Sequence, residues 1–255
     1  MKRAQVTIFI IVAILIVTAI LLFFLFLNNR NPINPLQPEP TNPDQYIQKC
    51  VKDEALKTID ILLRQGGYLH PTLYKTYNTY NVGYLCYTGL YYVPCTTQEP
   101  VLIKHLEDEI SQGITLRVET CFEDLKSELG AKGYTVSLGS MQIKTQLLTN
   151  RAKIEVYRKI DLTKNEENKK IEQVNTIFNS PLYDLAIVAH EIASREAKVC
   201  NFDYVQYSWL HSEYKITKTS VGSGLQSSRI YTIKDRNTGK TLNMAIRSCA
   251  IPAGL

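Results

Sequence analysis

Hydrophobic residues are unevenly distributed along the chain, and the longest apolar run lies near its amino end. It extends from Val6 to Leu27 and is interrupted only by Thr7 and Thr18. A helix rises 1.5 Å per residue, so about 22 residues span about 33 Å, enough to cross a hydrocarbon core of about 30 Å. The run is too long for the apolar part of a cleaved secretory signal, and no small residue marks a cut at its end. We therefore predict an uncleaved transmembrane helix over residues 5–27.

The charges that flank this segment predict its orientation. Lys2 and Arg3 precede it, whereas only Arg30 follows closely. Positive residues favour the cytoplasmic side, so residues 1–4 are expected to form a cytoplasmic leader and the carboxyl-terminal domain to lie on the extracytoplasmic side. The expected location is the cell membrane, with a single pass and with membrane lipid as the first partner.

Proline and asparagine dominate residues 28–43. Five of these positions are proline, namely Pro32, Pro35, Pro38, Pro40 and Pro43. Such a composition favours extended polyproline II and does not form a packed core. We predict a linker that holds the remainder of the chain away from the bilayer.

Helical periodicity begins after the linker and recurs three times. The first apolar stripe starts at Asp44 and stops before Gly66-Gly67. Two further helices are predicted over 98–112 and 114–129 with Gly113 between them. Another runs from Pro181 to about Val199, with apolar residues on one face.

Strand patterns fill much of the remaining sequence. Residues 68–95 alternate tyrosine with polar residues, and strand-like segments run from Tyr134 to Ile177. The end of the chain predicts a hairpin, with strands over Arg229–Lys234 and Thr241–Arg247. Helices and strands occur in blocks without βαβ alternation, so residues 44–255 are predicted to form one α+β domain of helices and antiparallel sheet.

All cysteines lie beyond the apolar segment. They are Cys50, Cys86, Cys95, Cys121, Cys200 and Cys249. An even number without Cys-x-x-Cys spacing predicts disulfides in an oxidising compartment rather than a zinc or redox site. Of the fifteen arrangements that six cysteines allow, we prefer Cys86–Cys95, Cys50–Cys121 and Cys200–Cys249. The alternative is a set of buried free thiols in a cytosolic domain.

Charge and motifs exclude several classes of function. The net charge is +5, and removing Lys2 and Arg3 leaves +3 (5 − 2) for the rest, which is too weak for a nucleic-acid-binding protein. His190-Glu191 lies on a predicted helix, but Ser194 occupies the position where a zinc protease has its second histidine. We predict no metal or other cofactor and no enzymatic activity; the alternative is an extracytoplasmic hydrolase assembled around His190 or His211.

Tyrosine is the one residue type that predicts a binding surface. The chain has 16 tyrosines but only seven phenylalanines. A tyrosine offers a large rigid ring with a polar tip, which suits recognition as well as half-buried strands. The candidate recognition residues are Tyr74, Tyr77, Tyr80, Tyr84, Tyr87, Tyr91 and Tyr92; the alternative is that they are packed in core strands.

The amino terminus resembles a known export signal. A short basic leader, Ala4, the stretch Gln5-Val6-Thr7-Ile8-Phe9 and a long apolar helix are similar to the class III signal sequence of archaeal type IV pilins and archaellins. The resemblance covers about 25 of 255 residues. It implies an archaeal source, cleavage between Ala4 and Gln5, and a helix that packs into a filament core. Phe9 departs from the family pattern, which usually has a glutamate there that pairs with the neighbouring subunit.

Two interpretations of function follow from these features. The first is a single-pass membrane protein whose extracytoplasmic domain is a non-enzymatic binding or structural module that contacts another envelope protein. The alternative is a pilin-like filament or pseudopilus subunit that is processed before Gln5 and self-associates.

The mass of the intact protein separates these interpretations. For protein extracted from its native host we expect a species that starts at Met1, or at Lys2 if only the methionine is removed. It should gain six hydrogen atoms on reduction, because six cysteines form three disulfides. A species starting at Gln5 would instead support the filament subunit, and an unchanged mass would contradict the extracytoplasmic location.

Overall fold

The computed structural model describes residues 42–165, 167–223 and 227–249, together with Ile16–Thr18 and Leu21. The chain divides into two units, Met1–Thr41 and Asn42–Leu255. In the first unit the four described residues are helical. The rest of the transmembrane helix predicted over 5–27, the linker as far as Thr41, and Ala4 and Gln5 lie outside the described residues. Where the structure is described, no helix has the length and apolar character that a bilayer span requires.

The second unit is an α+β domain, as predicted. Its helices are α1 (Pro43–Arg64), α2 (Leu102–Ala131), α3 (Leu182–Val199) and α4 (Tyr204–Leu210). The strands in the described residues are β1 (Tyr74–Tyr77), β2 (Tyr80–Tyr87), β3 (Thr96–Thr97), β4 (Thr135–Leu148), β5 (Arg151–Lys164), β6 (Glu167–Asn179), β7 (Tyr214–Val221), β8 (Ser228–Asp235) and β9 (Thr241–Arg247).

Helix α1 begins and ends where the sequence signals predict. The Asn42 side chain accepts a hydrogen bond of 3.1 Å from the backbone N–H of Asp44, and Pro43 occupies the first turn. The chain turns away at Gly66, whose φ of +74° suits glycine. A Cβ at Gly66 would also lie only 2.8 Å from the carbonyl oxygen of Gly83, so this turn packs directly on β2.

Helix α2 is continuous, and the prediction of two helices separated at Gly113 was wrong. Its buried stripe passes through this position without a change of phase, at Leu102, Leu106, Ile110, Ile114, Val118, Phe122, Leu125 and Leu129. Packing of that stripe outweighs the penalty of about 1 kcal/mol for a glycine inside a helix. Gly113 lies instead at a close contact, since a Cβ there would be 2.5 Å from Leu69 Cδ1 and 3.1 Å from Thr58 Cγ2.

The strand-rich middle of the chain is an antiparallel meander, in the order β4-β5-β6. Residues of β5 alternate between buried and more exposed positions along most of the strand, which is the pattern of a sheet with one face on a core. The second sheet has the order β1-β2-β9-β8-β7, and β3 adds to β2. The hairpin of β8 and β9 is confirmed.

The second sheet and the region before it differ from the prediction. Strands β2 and β9 are parallel, so the sheet is mixed rather than purely antiparallel. These strands are separated in sequence by α2, the meander and α3, and such a long connection does not impose the antiparallel pairing of a hairpin. Neither α4 nor β7 was predicted from the sequence. Short amphipathic segments of this kind carry a weak periodic signal.

One hydrophobic core joins the helices to the inner faces of both sheets. A second, smaller cluster lies on the other face of the mixed sheet and contains Val82, Tyr84, Ile230 and Ala245. Disulfides connect Cys50 to Cys121, Cys86 to Cys95 and Cys200 to Cys249. These are the pairings preferred from the sequence. The first joins α1 to α2, and with Thr58 close to Gly113 it shows that these helices run antiparallel.

A buried ion pair connects α3 to the mixed sheet. Glu196 is fully buried, and Nη1 of Arg229 donates to both of its carboxylate oxygens at 2.8 and 2.7 Å. The Tyr231 hydroxyl also donates to this carboxylate, at 2.5 Å. Arg229 further donates to the carbonyl oxygens of Cys200 and Cys249, at 2.7 and 3.0 Å. The guanidinium therefore holds both backbone segments of one disulfide as well as the carboxylate.

We expect Arg229→Met to lower the free energy of unfolding by about 3–5 kcal/mol, because it removes the guanidinium that donates to the buried Glu196 carboxylate and leaves Lys218 Nζ, 4.0 Å away, as the remaining cation. Urea unfolding of the full-length protein with its disulfides intact measures the change. The control is Lys240→Met, which removes a 2.7 Å ion pair with Asp60 in which both side chains are well exposed. It should change stability by less than about 1 kcal/mol. Equal effects of the two substitutions would contradict a structural role for the buried pair.

The two glycines of α2 predict opposite effects of alanine. Gly130→Ala should raise the free energy of unfolding by up to about 1 kcal/mol, because alanine favours the helix and its Cβ meets no atom within 4 Å. Gly113→Ala should lower it, because the added Cβ pushes α2 away from Leu69 and Thr58. The same urea titration compares them, and stabilisation by both would show that the helix contact at Gly113 is not tight.

Candidate functional site

The Cys86–Cys95 disulfide closes a short loop at the end of β2. Both cysteines are buried, and their Cα atoms are 5.4 Å apart. The loop contains residues 87–94, and we call it the Cys86–Cys95 loop. Its ends are thus covalently joined inside the domain, while the residues between them extend outward.

Four consecutive apolar side chains are exposed in this loop. The exposed fractions are 65% for Leu90, 40% for Tyr91, 73% for Tyr92 and 39% for Val93. Isolated exposed apolar residues are ordinary, but a contiguous group usually marks an interaction surface. The sequence contains a signal for this exposed apolar group, because Leu90-Tyr91-Tyr92-Val93 lies between two cysteines that are nine residues apart. The recognition residues predicted from the sequence included Tyr91 and Tyr92 but not Leu90 and Val93.

The base of the loop is fixed by hydrogen bonds to the end of β9. The N–H of Thr88 donates to the carbonyl oxygen of Arg247 at 2.9 Å, and the Thr88 hydroxyl accepts from the N–H of Leu90 at 3.1 Å. The N–H of Cys95 donates to the hydroxyl of Ser248 at 3.4 Å, and this hydroxyl donates to the carbonyl oxygen of Glu196 at 3.0 Å. The loop is therefore attached to the same segment that the buried ion pair holds.

Tyr84 and Tyr87 pack within the mixed sheet. Tyr84 is only 5% exposed, and its hydroxyl shares a 2.6 Å hydrogen bond with Ser228. Burial is the main cause that raises the pKa of Tyr84. The two rings meet edge to face at 5.0 Å, and the Tyr87 hydroxyl accepts a hydrogen bond from Arg247 at 3.1 Å. Tyr84 therefore belongs to the smaller hydrophobic cluster and does not contribute to an exposed surface.

Tyr74, Tyr77 and Tyr80 belong to the hairpin of β1 and β2. Tyr74 is 45% exposed, whereas Tyr77 packs against the smaller cluster. The hydroxyl of Tyr80 accepts a 2.9 Å hydrogen bond from Arg64, whose guanidinium also lies 5.4 Å from the ring centroid. Of the seven tyrosines proposed from the sequence, Tyr91 and Tyr92 are the two whose side chains are exposed in the Cys86–Cys95 loop.

His105 packs against the turn that follows α1 and against the ring of Tyr68. Nε2 of His105 lies 3.0 Å from the carbonyl oxygen of Gly67, and its ring packs against Tyr68 at 4.6 Å. The Tyr68 hydroxyl donates to Glu99 at 3.1 Å, and burial together with this carboxylate raises the pKa of Tyr68. His190 lies half-buried in α3. Among the described residues, no group of three or more His, Cys, Asp or Glu side chains is arranged to hold a metal ion.

Comparisons with protein-family models, with curated proteins and with solved structures found no match to this chain.

Proposed function

We propose that this chain is a single-pass membrane protein whose extracytoplasmic domain binds another envelope protein through the Cys86–Cys95 loop. The apolar segment over residues 5–27 holds it in the bilayer, and the Pro-rich linker carries the domain outward. The single observation that carries the proposal is the exposure of four consecutive apolar side chains between two buried half-cystines.

The energetics of the loop support binding. Burying apolar surface contributes about 25 cal/mol per Å², so covering side chains such as Leu90 and Tyr92 contributes several kcal/mol to association. A disulfide at the base limits the conformational freedom that a loop loses on binding. Exposed aromatic residues on such a restrained loop are the type that dominates interface energies.

The disulfides support the extracytoplasmic location. All six cysteines are paired in three bonds, and two of the bonds join distant parts of the chain, with sequence separations of 71 and 49 residues. Bonds of this kind persist in oxidising compartments. This agrees with the orientation inferred from Lys2 and Arg3.

Site-directed photo-crosslinking in the native host tests the proposal. A benzoyl-phenylalanine at position 92 should give one discrete adduct, because the Tyr92 side chain is 73% exposed. The matched control places the same group at Leu116, which is 77% exposed on α2. The yield of the adduct should fall about tenfold with Leu90→Ser, because this substitution removes a neighbouring apolar contact. Equal crosslinking from both positions, or no effect of Leu90→Ser, would contradict a specific interface.

A filament or pseudopilus subunit is the second candidate function. It is favoured by the Ala4-Gln5 junction and the long apolar segment that follows. In that case the crosslinked partner would be another copy of this chain, and the intact mass would start at Gln5.

A further inference from the structure

A lysine, an asparagine and a buried glutamate meet where β7 passes the end of α3. Nζ of Lys218 donates a 2.9 Å hydrogen bond to the side-chain oxygen of Asn201, and it lies 4.0 Å from Oε1 of Glu196. Asn201 directly follows Cys200, the residue at which α3 ends. The contact therefore joins strand β7 to the segment between α3 and α4.

Aromatic rings form a wall beside the lysine. Lys218 lies opposite Tyr231 in the pairing of β7 with β8, and its Nζ is 5.5 Å from the centre of that ring. The ring of Phe202 meets the Tyr231 ring edge to face at 6.2 Å. Both aromatic residues are buried, and the Lys218 side chain is only 21% exposed. Water therefore solvates this ammonium group poorly, which favours the neutral amine.

The negative charge of Glu196 is balanced without the lysine. Nη1 of Arg229 donates to both carboxylate oxygens, and a guanidinium keeps its charge in proteins. Burial is the main cause that lowers the pKa of Lys218; the Glu196 carboxylate opposes this shift and Arg229 adds to it. A lysine that is desolvated beside another cation is activated as a nucleophile. Without Arg229, the lysine would be the remaining cation and would keep its proton.

The amine is also close to an electrophilic carbon. The side-chain oxygen of Asn201 lies 2.9 Å from Nζ. Because the amide carbon is bonded to that oxygen at about 1.2 Å, Nζ lies within about 4.1 Å of the carbon. Bonds form from separations of about 3–3.5 Å, so a small movement of the side chain brings the two atoms together. Reactants held in this way have a very high effective concentration, which speeds a reaction that is slow between free molecules.

We propose that Lys218 and Asn201 form an intramolecular isopeptide bond. The neutral Nζ attacks Cγ of Asn201, and the π electrons of the carbonyl group move to Oδ1. The proton that Nζ then loses is carried to Nδ2, and the Glu196 carboxylate is the general base placed to carry it, directly or through one water. The carbonyl group re-forms as the bond between Cγ and Nδ2 breaks.

The reaction is balanced without another reactant. An amine and a primary amide become a secondary amide and ammonia, and nothing is oxidised or reduced. Asn201 is exposed, so the ammonia can leave to solvent. The new bond cross-links β7 to the segment that begins at Cys200, and it limits the unfolded chain in the way a disulfide does, but a reductant does not cut it. The bond is independent of the Cys86–Cys95 loop and of membrane attachment.

Mass spectrometry of the full-length protein, purified in detergent from its native host, tests the bond. After reduction, the protein should be lighter than its sequence by the mass of one ammonia. Trypsin should not cut after Lys218, so one branched peptide should join residues 199–215 to residues 216–229. Cyclisation of an exposed Gln5 also releases ammonia, but it gives no branched peptide. Recovery of residues 199–215 only as a linear peptide would overturn the proposal.

Matched variants identify the nucleophile. Lys218→Arg keeps a cation and a hydrogen-bond donor but has no nucleophilic amine, so the branched peptide should be lost completely. Lys215→Arg changes an exposed lysine of the same strand, and the branched peptide should remain. Circular dichroism checks that both variants are folded. A branch that persists in Lys218→Arg, or one that is lost in both variants alike, would overturn the assignment to Lys218.

Discussion

The buried carboxylate of Glu196 is the interaction on which the arrangement of the second unit depends. It accepts from Arg229 and Tyr231, so α3 is fixed against β8. A single buried carboxylate is strongly unfavourable unless donors surround it, and here the donors come from residues far apart in sequence. The same guanidinium binds the carbonyl oxygens of both cysteines of one disulfide. The carboxyl end of α3, strand β8 and the segment at Cys249 are therefore positioned together.

This fixed centre explains how the domain presents apolar residues on its surface. The Cys86–Cys95 loop is tied to Ser248, whose hydroxyl donates to the Glu196 carbonyl. Its tip therefore has a rigid base, although Leu90 and Tyr92 are largely exposed. Holding such side chains in water is unfavourable for a monomer, and association relieves it. The loop thus combines an apolar surface with a restrained backbone, which is the combination that favours tight recognition.

Helix α3 presents a buried charge and an exposed charge on two different faces. Glu196 points into the core, whereas the preceding residue, Arg195, lines a cleft beside α4. Adjacent residues on a helix are about 100° apart, so one element can complete the internal network and also present an unpaired cation outside. The two neighbouring charges differ in burial: the Glu196 carboxylate accepts from donors within the fold, whereas the Arg195 guanidinium has no acceptor among the described residues.

The sequence by itself determined the local elements whose signals are strong. The cap at Asn42, the periodic apolar stripe of α3 and the turn between β8 and β9 each predict structure from neighbouring residues, and the cysteine spacing limited the disulfides.

Tertiary structure decided what depends on distant contacts. Gly113 lies in a continuous helix because packing outweighs local propensity. β2 and β9 run parallel, which their long connection permits and which no local signal in the sequence predicts. Tyr84 is buried and Tyr92 exposed, although both are tyrosines in the same short region, because only the path of the chain places one beside Ser228 and the other at the loop tip.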